Sequence, residues 1–86
     1  MNIGITGCQG FIGYHTYYNL KFTTDWNIIK LDKDFANDKR IKTCDWIIHL
    51  AGVNRGSDTE LYDTNIDLAN KLINSVNKKC NIIFSS

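Results

Sequence analysis

Three glycines stand at regular spacing near the start of the chain, where Gly7, Gly10 and Gly13 form the pattern G-x-x-G-x-x-G. A short apolar stretch, Ile3–Ile5, within the predicted strand Asn2–Thr6 comes directly before them, and a helical pattern over residues 11–22 follows. Glycine adopts the backbone of a tight turn and allows two chain segments to approach closely. The spacing therefore predicts a strand, a tight turn and a helix whose N-terminal amides can receive a pyrophosphate.

The remaining pattern predicts three more strands and one long helix. The strands are expected over residues 26–31, 45–51 and 81–84, and the helix from Asp58 or Thr59 to about Val76. The polar segment 33–43 has room for one short helix. The order implies a parallel sheet with right-handed crossovers. The predicted fold class is α/β, a truncated Rossmann-type parallel sheet of about four strands with flanking helices, and residues 1–86 form a single partial domain.

Each predicted helix has an expected inward face. On the first helix these residues are Ile12, Tyr17 or Thr16, and Leu20. On the long helix they are Leu61, Asn65, Leu68 or Ala69, Leu72 or Ile73, and Val76. Both sets recur at about i, i+3 and i+4.

Composition narrows the class of ligand. The 86 residues allow one domain, and ten basic residues against nine acidic ones leave no charge excess that would attract nucleic acid or an anionic membrane. No apolar run approaches the roughly 18–20 residues of a membrane span, and the N-terminus lacks a signal-peptide pattern, so a cytoplasmic location is expected.

The three cysteines form no C-x-x-C pair, and reduced thiols are expected. A zinc site could be drawn from Cys44 and His49 together with Cys8, His15 and Cys80. Because Cys44 and His49 flank an apolar strand, we interpret them as core residues and predict no metal site.

Asp32 ends the second predicted strand, 19 residues beyond Gly13. A carboxylate there can accept hydrogen bonds from the adenosine ribose and repel a 2′-phosphate, which favours NAD. The alternative is a solvated aspartate at a strand end. Lys33, the next residue, could meet a 2′-phosphate, so NADP stays open.

Several short motifs follow one another along the whole chain. They are Thr6-Gly7-x-x-Gly10-Phe11-Ile12-Gly13, Asp32, Asp45-x-Ile47-Ile48-His49-Leu50-Ala51-Gly52, Asn65 and Phe84-Ser85-Ser86. In this order they resemble the N-terminal portion of the extended short-chain dehydrogenase/reductases. This family comprises NAD-dependent epimerases and dehydratases that act mostly on nucleotide-diphosphate sugars. Residues 49–55 are similar, more narrowly, to capsular-polysaccharide reductases that act on UDP-sugars.

The resemblance implies roles for the matched positions. Gly7, Gly10, Phe11 and Ile12 would line the pyrophosphate turn, Asp32 would hold the adenosine ribose, Leu50, Ala51 and Gly52 would pass beside the nicotinamide ribose, and Asn65 would be a structural hydrogen-bonding residue. From the residues alone, segment 45–51 is either plain core or a wall of the cofactor site. Arg55 is either a phosphate contact or a solvated cation.

Catalysis in this family uses a Ser or Thr just after the last of these strands and a Tyr-x-x-x-Lys pair further along. Ser85 and Ser86 are the candidates for that hydroxyl. Tyr17-x-x-x-Lys21 matches the pair literally, but it lies on the first helix, and we interpret it as a coincidence. The family's C-terminal substrate-binding part is expected to be absent, and the chain alone is expected to be inactive.

Three functions stay open at this point. The chain is the NAD(P)-binding portion of a nucleotide-sugar epimerase, dehydratase or reductase, with a UDP-sugar as substrate once a C-terminal part completes it. Alternatively it is a non-catalytic dinucleotide-binding remnant, or a subunit completed by another chain through its exposed last strand. The third is a small α/β domain that binds nothing.

Overall fold

The computed structural model describes residues 1–32, 34–50 and 58–84, with side chains in the last range from Asn65 onward. Its elements are β1 (Asn2–Thr6), α1 (Phe11–Thr23), β2 (Asn27–Leu31), two 3-10 helices (Phe35–Asn37 and Lys39–Thr43), β3 (Trp46–His49), α2 (Asp58–Ser75) and β4 (Asn81–Phe84). The four strands and the two long helices predicted from the sequence are confirmed, with ends that shift by one or two residues.

The connection between β2 and β3 differs from the expectation of one short helix, because it forms two 3-10 helices instead. A carboxylate oxygen of Asp38 accepts a hydrogen bond from the Arg40 amide at 3.0 Å and so caps the second of them. Aspartate favours such local bonds to the backbone, which compete with a continuous α-helix.

The sheet is fully parallel, in the order β2-β1-β3-β4. Thr6 at the end of β1 pairs with Leu31 of β2 and with His49 of β3, and His49 pairs with Phe84 of β4. All four strands therefore end together, at what we call the carboxyl edge. The chain leaves β1 for β2 on one side and continues from β3 to β4 on the other, so the boundary between β1 and β3 is the topological switch point.

Two apolar clusters cover the two faces of the sheet, as expected for a parallel sheet. On the α2 face the buried cluster consists of Ile29, Leu31, Phe35, Ile41, Cys44, Ile47 and Leu72. On the α1 face it consists of Ile3, Ile5 and Tyr17, with partly buried residues such as Leu20, Ile48 and Leu50 packed against it.

Two predicted inward residues, Ile12 on α1 and Asn65 on α2, are wrong, because both are exposed. Ile12 is 64% exposed, and the buried residues of α1 are Gly13 and Tyr17. The reason is the close contact of Gly13 with the turn, which sets the rotation of the helix and turns Ile12 outward. On α2, Leu72 is buried and Ile73 is exposed, which resolves that pair of alternatives; Leu61 lies outside the described side chains.

No helix among the residues that the structure describes is long and apolar enough to cross a membrane.

Candidate functional site

The turn between β1 and α1 depends on two of its three glycines for backbone reasons. Gly7 has a φ of 76°, a left-handed conformation that side-chain-bearing residues rarely adopt. A Cβ on Gly13 would lie only 1.9 Å from the carbonyl oxygen of Gly7. The helix can pack against the turn only because Gly13 has no side chain.

Gly10 has a different environment. The atom nearest to a Cβ built there is the Gly7 carbonyl oxygen at 3.5 Å, an ordinary van der Waals distance, and its φ of −79° suits any residue. Its amide donates to the Gly7 carbonyl at 3.1 Å, and its carbonyl accepts from the Tyr14 amide at 2.9 Å. The fold therefore does not require glycine at this exposed position, and the missing side chain keeps the outer surface of the turn open.

Helix α1 begins at this open surface. The bond from the Tyr14 amide to Gly10 is the first of the helix, so the amides of Phe11, Ile12 and Gly13 precede the intrahelical ladder. No acidic residue occupies the first turn. The helix dipole gives this end a partial positive charge. Phe11 and Ile12, which are 80% and 64% exposed, flank it.

Asp32 is exposed and directly follows β2, beside the glycine turn. Burial raises the pKa of the nearby Cys8 thiol most, while the Lys30 ammonium lowers this pKa and the Asp32 carboxylate raises it. A carboxylate thus stands at the carboxyl edge next to the open turn, as the sequence predicts.

Arg40, which the sequence analysis did not single out, lies near this carboxylate. Its guanidinium forms an ion pair with Asp38 at 2.7 Å and donates to the Lys30 carbonyl at 3.1 Å. The hydrogen bond from Asp38 raises the pKa of Arg40 most, and Asp32 raises it further. The Asp-x-Arg sequence at 38–40 was the available signal, but only the fold brings it beside β2.

A buried polar pair joins the ends of the two central strands. Thr6 Oγ1 and His49 Nδ1 lie 2.8 Å apart in a hydrogen bond, and both side chains are buried. The Leu50 amide donates to Thr6 Oγ1 at 3.1 Å and to the Thr6 carbonyl at 3.3 Å. Thr6 and His49 belong to separate sequence motifs, and neither motif predicts this contact between β1 and β3.

His49 also contacts aromatic rings from two further segments. The ring of Phe35 lies 6.3 Å away and that of Phe84 lies 5.7 Å away, both edge to face. Burial lowers the pKa of His49 below its usual value, so the imidazole is neutral at pH 7.

Several predicted positions lie outside the described residues. They are Lys33, Ala51, Gly52, Arg55, Ser85 and Ser86. Leu50 is described, and it packs in part against the α1-face cluster. Asn65 lies on α2 at an exposed position.

Tyr17 and Lys21 do meet, since Lys21 Nζ donates to the Tyr17 hydroxyl at 3.3 Å. Lys30 Nζ lies 4.4 Å from the centre of the Tyr17 ring. The pair thus packs over the α1 face of the sheet, beside β2. The ammonium groups of Lys21 and Lys30 hold the Tyr17 ring there by cation–π contacts, so this side chain has a structural role.

Cys44 and Cys80 pack together on the α2 face of the sheet, whereas Cys8 packs against the α1-face cluster. Among the residues that the structure describes, no three His, Cys, Asp or Glu side chains come close enough to hold a metal ion. Cys44 is buried in the α2-face cluster, and burial raises its pKa to about 11.

The fold and the turn define a four-stranded Rossmann-type α/β sheet with an open glycine turn at its switch point. Three solved structures that are similar to it carry the name CapF. The capsular polysaccharide assembling protein CapF from Staphylococcus aureus matches the whole chain at 33% identity with a TM-score of 0.66, over 25% of the CapF chain. CapF with the inhibitor 3-isopropenyl-tropolone matches the whole chain at 31% identity with a TM-score of 0.60, over 23% of that chain.

A third structure, CapF from S. aureus in space group C2221, matches 95% of the chain at 28% identity with a TM-score of 0.61. The chain thus spans about a quarter of the length of the CapF structures that it matches. No protein-family model and no curated protein sequence matches this chain.

Proposed function

We propose that the chain binds NAD or NADP at the carboxyl edge of β1 and β2, as the cofactor-binding portion of a nucleotide-sugar epimerase, dehydratase or reductase of the extended short-chain dehydrogenase/reductase type. The similarity to CapF supports a role in capsular polysaccharide assembly, with a UDP-sugar as the substrate of the completed enzyme.

The observation that carries this proposal is the environment of Gly10. Gly7 and Gly13 are explained by backbone geometry, but nothing within the turn needs a glycine at position 10. A ligand that approaches the backbone closely does need one. An anionic ligand also suits this position, because the first amides of α1 point out of the helix there.

The hydrogen-bonding groups of this site suit a dinucleotide. The amides of Phe11 and Ile12 would bind the pyrophosphate, and the Asp32 carboxylate would accept hydrogen bonds from the adenosine ribose. The backbone at Leu50 would pass beside the nicotinamide half, which supplies hydride transfer when bound. The charge of Arg40 near Asp32 would reduce the repulsion of a 2′-phosphate, which keeps NADP within the proposal.

The test is a titration of the 86-residue chain with NAD and with NADP, followed by urea unfolding. A ligand that binds only the folded state, at 100 times its Kd, adds about 2.7 kcal/mol to the free energy of unfolding. Gly10→Ala is expected to leave stability unchanged and to weaken NAD binding by at least about tenfold, or about 1.4 kcal/mol. Asp32→Asn is expected to weaken NAD more than NADP.

Asp25→Asn is the matched control for Asp32, because Asp25 is also exposed but precedes β2 at the opposite edge of the sheet. It should leave both affinities unchanged. No stabilisation by either cofactor at millimolar concentration would overturn the proposal. Equal loss of NAD and NADP affinity in Asp32→Asn would exclude the proposed contact of Asp32 with the ribose, and it would leave the proposed binding of a dinucleotide standing.

A second proposal concerns assembly. The outer edge of β4 has no partner strand among the described residues, and Ile83 and Phe84 are each 48% exposed. We propose that a further strand, from another chain or from a completing part, pairs with this edge. Light scattering over a concentration series tests self-association: Ile83→Lys should abolish it, and a monomer at all concentrations would exclude pairing between copies.

A further inference from the structure

His49 contacts the ends of three other segments at the carboxyl edge. It bonds to Thr6 at the end of β1, and its ring meets Phe35 after β2 and Phe84 at the end of β4. Within the described part of the chain, this side chain of β3 therefore contacts the ends of β1 and β4 and the first residue of the 3-10 helix that follows β2.

The neighbours of this pair in sequence are the backbone segments of the proposed site. Gly7 follows Thr6 and opens the glycine turn, and Leu50 follows His49. A change in the Thr6–His49 contact would thus alter the separation between the turn after β1 and the backbone of Leu50. A dinucleotide that spans the switch point must contact both.

We propose that His49 is a positioning residue for the dinucleotide site, whose imidazole holds the turn after β1 and the backbone of Leu50 at the separation that the cofactor requires. The inference rests on the proposed function. It assigns His49 no contact with the cofactor and no proton transfer; the side chain acts through Thr6 and through the packing of the strand ends. Burial keeps the imidazole neutral at pH 7, which suits this role.

Four variants separate the hydrogen bond from the ring packing. His49→Phe keeps an aromatic ring and removes the nitrogen that bonds to Thr6, whereas His49→Asn places an amide near the Nδ1 position and removes the ring. Thr6→Val removes the hydroxyl at constant shape, and Thr6→Ser retains it. Each is measured for NAD affinity and for free energy of unfolding, under conditions where the variant is fully folded.

If His49 positions the site, His49→Phe raises the Kd for NAD about threefold to tenfold, as expected for one lost hydrogen bond. The double variant His49→Phe/Thr6→Val then loses little more affinity than the worse single variant, because both remove one contact. Thr6→Ser stays near wild type. Amide hydrogen exchange of Gly7 and Leu50 quickens in His49→Phe, a second readout that needs no cofactor.

The matched control is Ile29→Val. This change removes a buried methylene in β2, on the same face of the sheet as His49 but away from the Thr6–His49 pair. It should lower stability and leave the Kd unchanged. If His49→Phe behaves like this control, His49 is merely structural and the inference is overturned; if His49→Phe does not fold, His49→Asn and Thr6→Val decide by the same criterion. If wild type binds neither NAD nor NADP, the proposed function fails, and this inference fails with it.

Discussion

β1 and β4 carry similar apolar sequences, Ile-Gly-Ile and Ile-Ile-Phe, but they occupy different places in the sheet. β1 pairs on both sides, with β2 and β3, and its last four residues are buried. β4 pairs with β3 alone, and Ile83 and Phe84 stay half-exposed. Burial here follows from position in the strand order and not from the hydrophobicity of the strand.

The comparison also explains where the candidate site lies. A central strand has its backbone bonded on both sides and its faces covered, so its end can hold a tight turn in place. The turn at Gly7, with its left-handed backbone, directly follows β1. Among the residues that the structure describes, no strand pairs with the outer edge of β4, and such an edge can pair with a further strand.

The largest expected change in stability comes from shortening an isoleucine in the central strand β1, compared with the same change in the edge strand β4. Ile5 in β1 is fully buried, and Ile5→Ala should lower the free energy of unfolding by about 2–5 kcal/mol, from lost burial and the cavity left behind. Ile83→Ala in β4 should cost about 1 kcal/mol or less, because half of that side chain is already in water. Urea unfolding of both variants measures the difference; equal losses would contradict the contrast between centre and edge.

An intermediate effect comes from adding atoms to β1. A Cβ on Gly4 would lie 2.8 Å from Cys44 Sγ and 2.9 Å from Leu31 Cδ1. Gly4→Ala should therefore cost about 1–3 kcal/mol through overpacking. Gly10→Ala is the matched control, since a Cβ there meets only ordinary contacts, and its stability should stay within about 0.5 kcal/mol of wild type. A tolerated Gly4→Ala would mean that the packing around β1 is looser than described.

The smallest expected effect is a pH dependence at the end of the central strands. Burial lowers the pKa of His49 in the folded state, so the unfolded chain takes up the proton first as pH falls. The free energy of unfolding should thus decrease as pH drops below about 6.5, the usual pKa of an unfolded histidine. Unfolding at pH 7.5, 6.5 and 5.5 should show a weaker pH slope in His49→Phe than in wild type. Identical slopes would exclude His49 as the source.

Much of the fold was predictable because its signals are local. The glycine spacing at 7–13 predicts the turn, and alternation between apolar runs and polar segments predicts each strand and helix. The error at Ile12 has a tertiary origin. Helical periodicity allows several rotations of α1, and only the contact between Gly13 and the Gly7 carbonyl selects one of them.

The residues of the candidate site also fall into those that the sequence predicts and those that only the fold reveals. Gly10 and Asp32 could be named from spacing, because the phosphate turn and the ribose carboxylate stand at set distances along a βαβ unit. The Thr6–His49 pair and the approach of Arg40 to β2 could not, because they join residues 43 and 10 positions apart in sequence. No local pattern marks such contacts.

The sequence by itself determined the order of elements, the parallel sheet and the open glycine turn, since each depends on backbone conformations that a few neighbouring residues prefer or forbid. Only the tertiary structure decided which strand is central, which face of α1 is buried and which strand ends meet at His49. The strand order and the contacts of His49 depend on packing between segments that are distant in the chain, and the buried face of α1 depends on the contact between Gly13 and the turn. In each case shape and hydrogen-bond geometry select one arrangement among several that the local pattern allows.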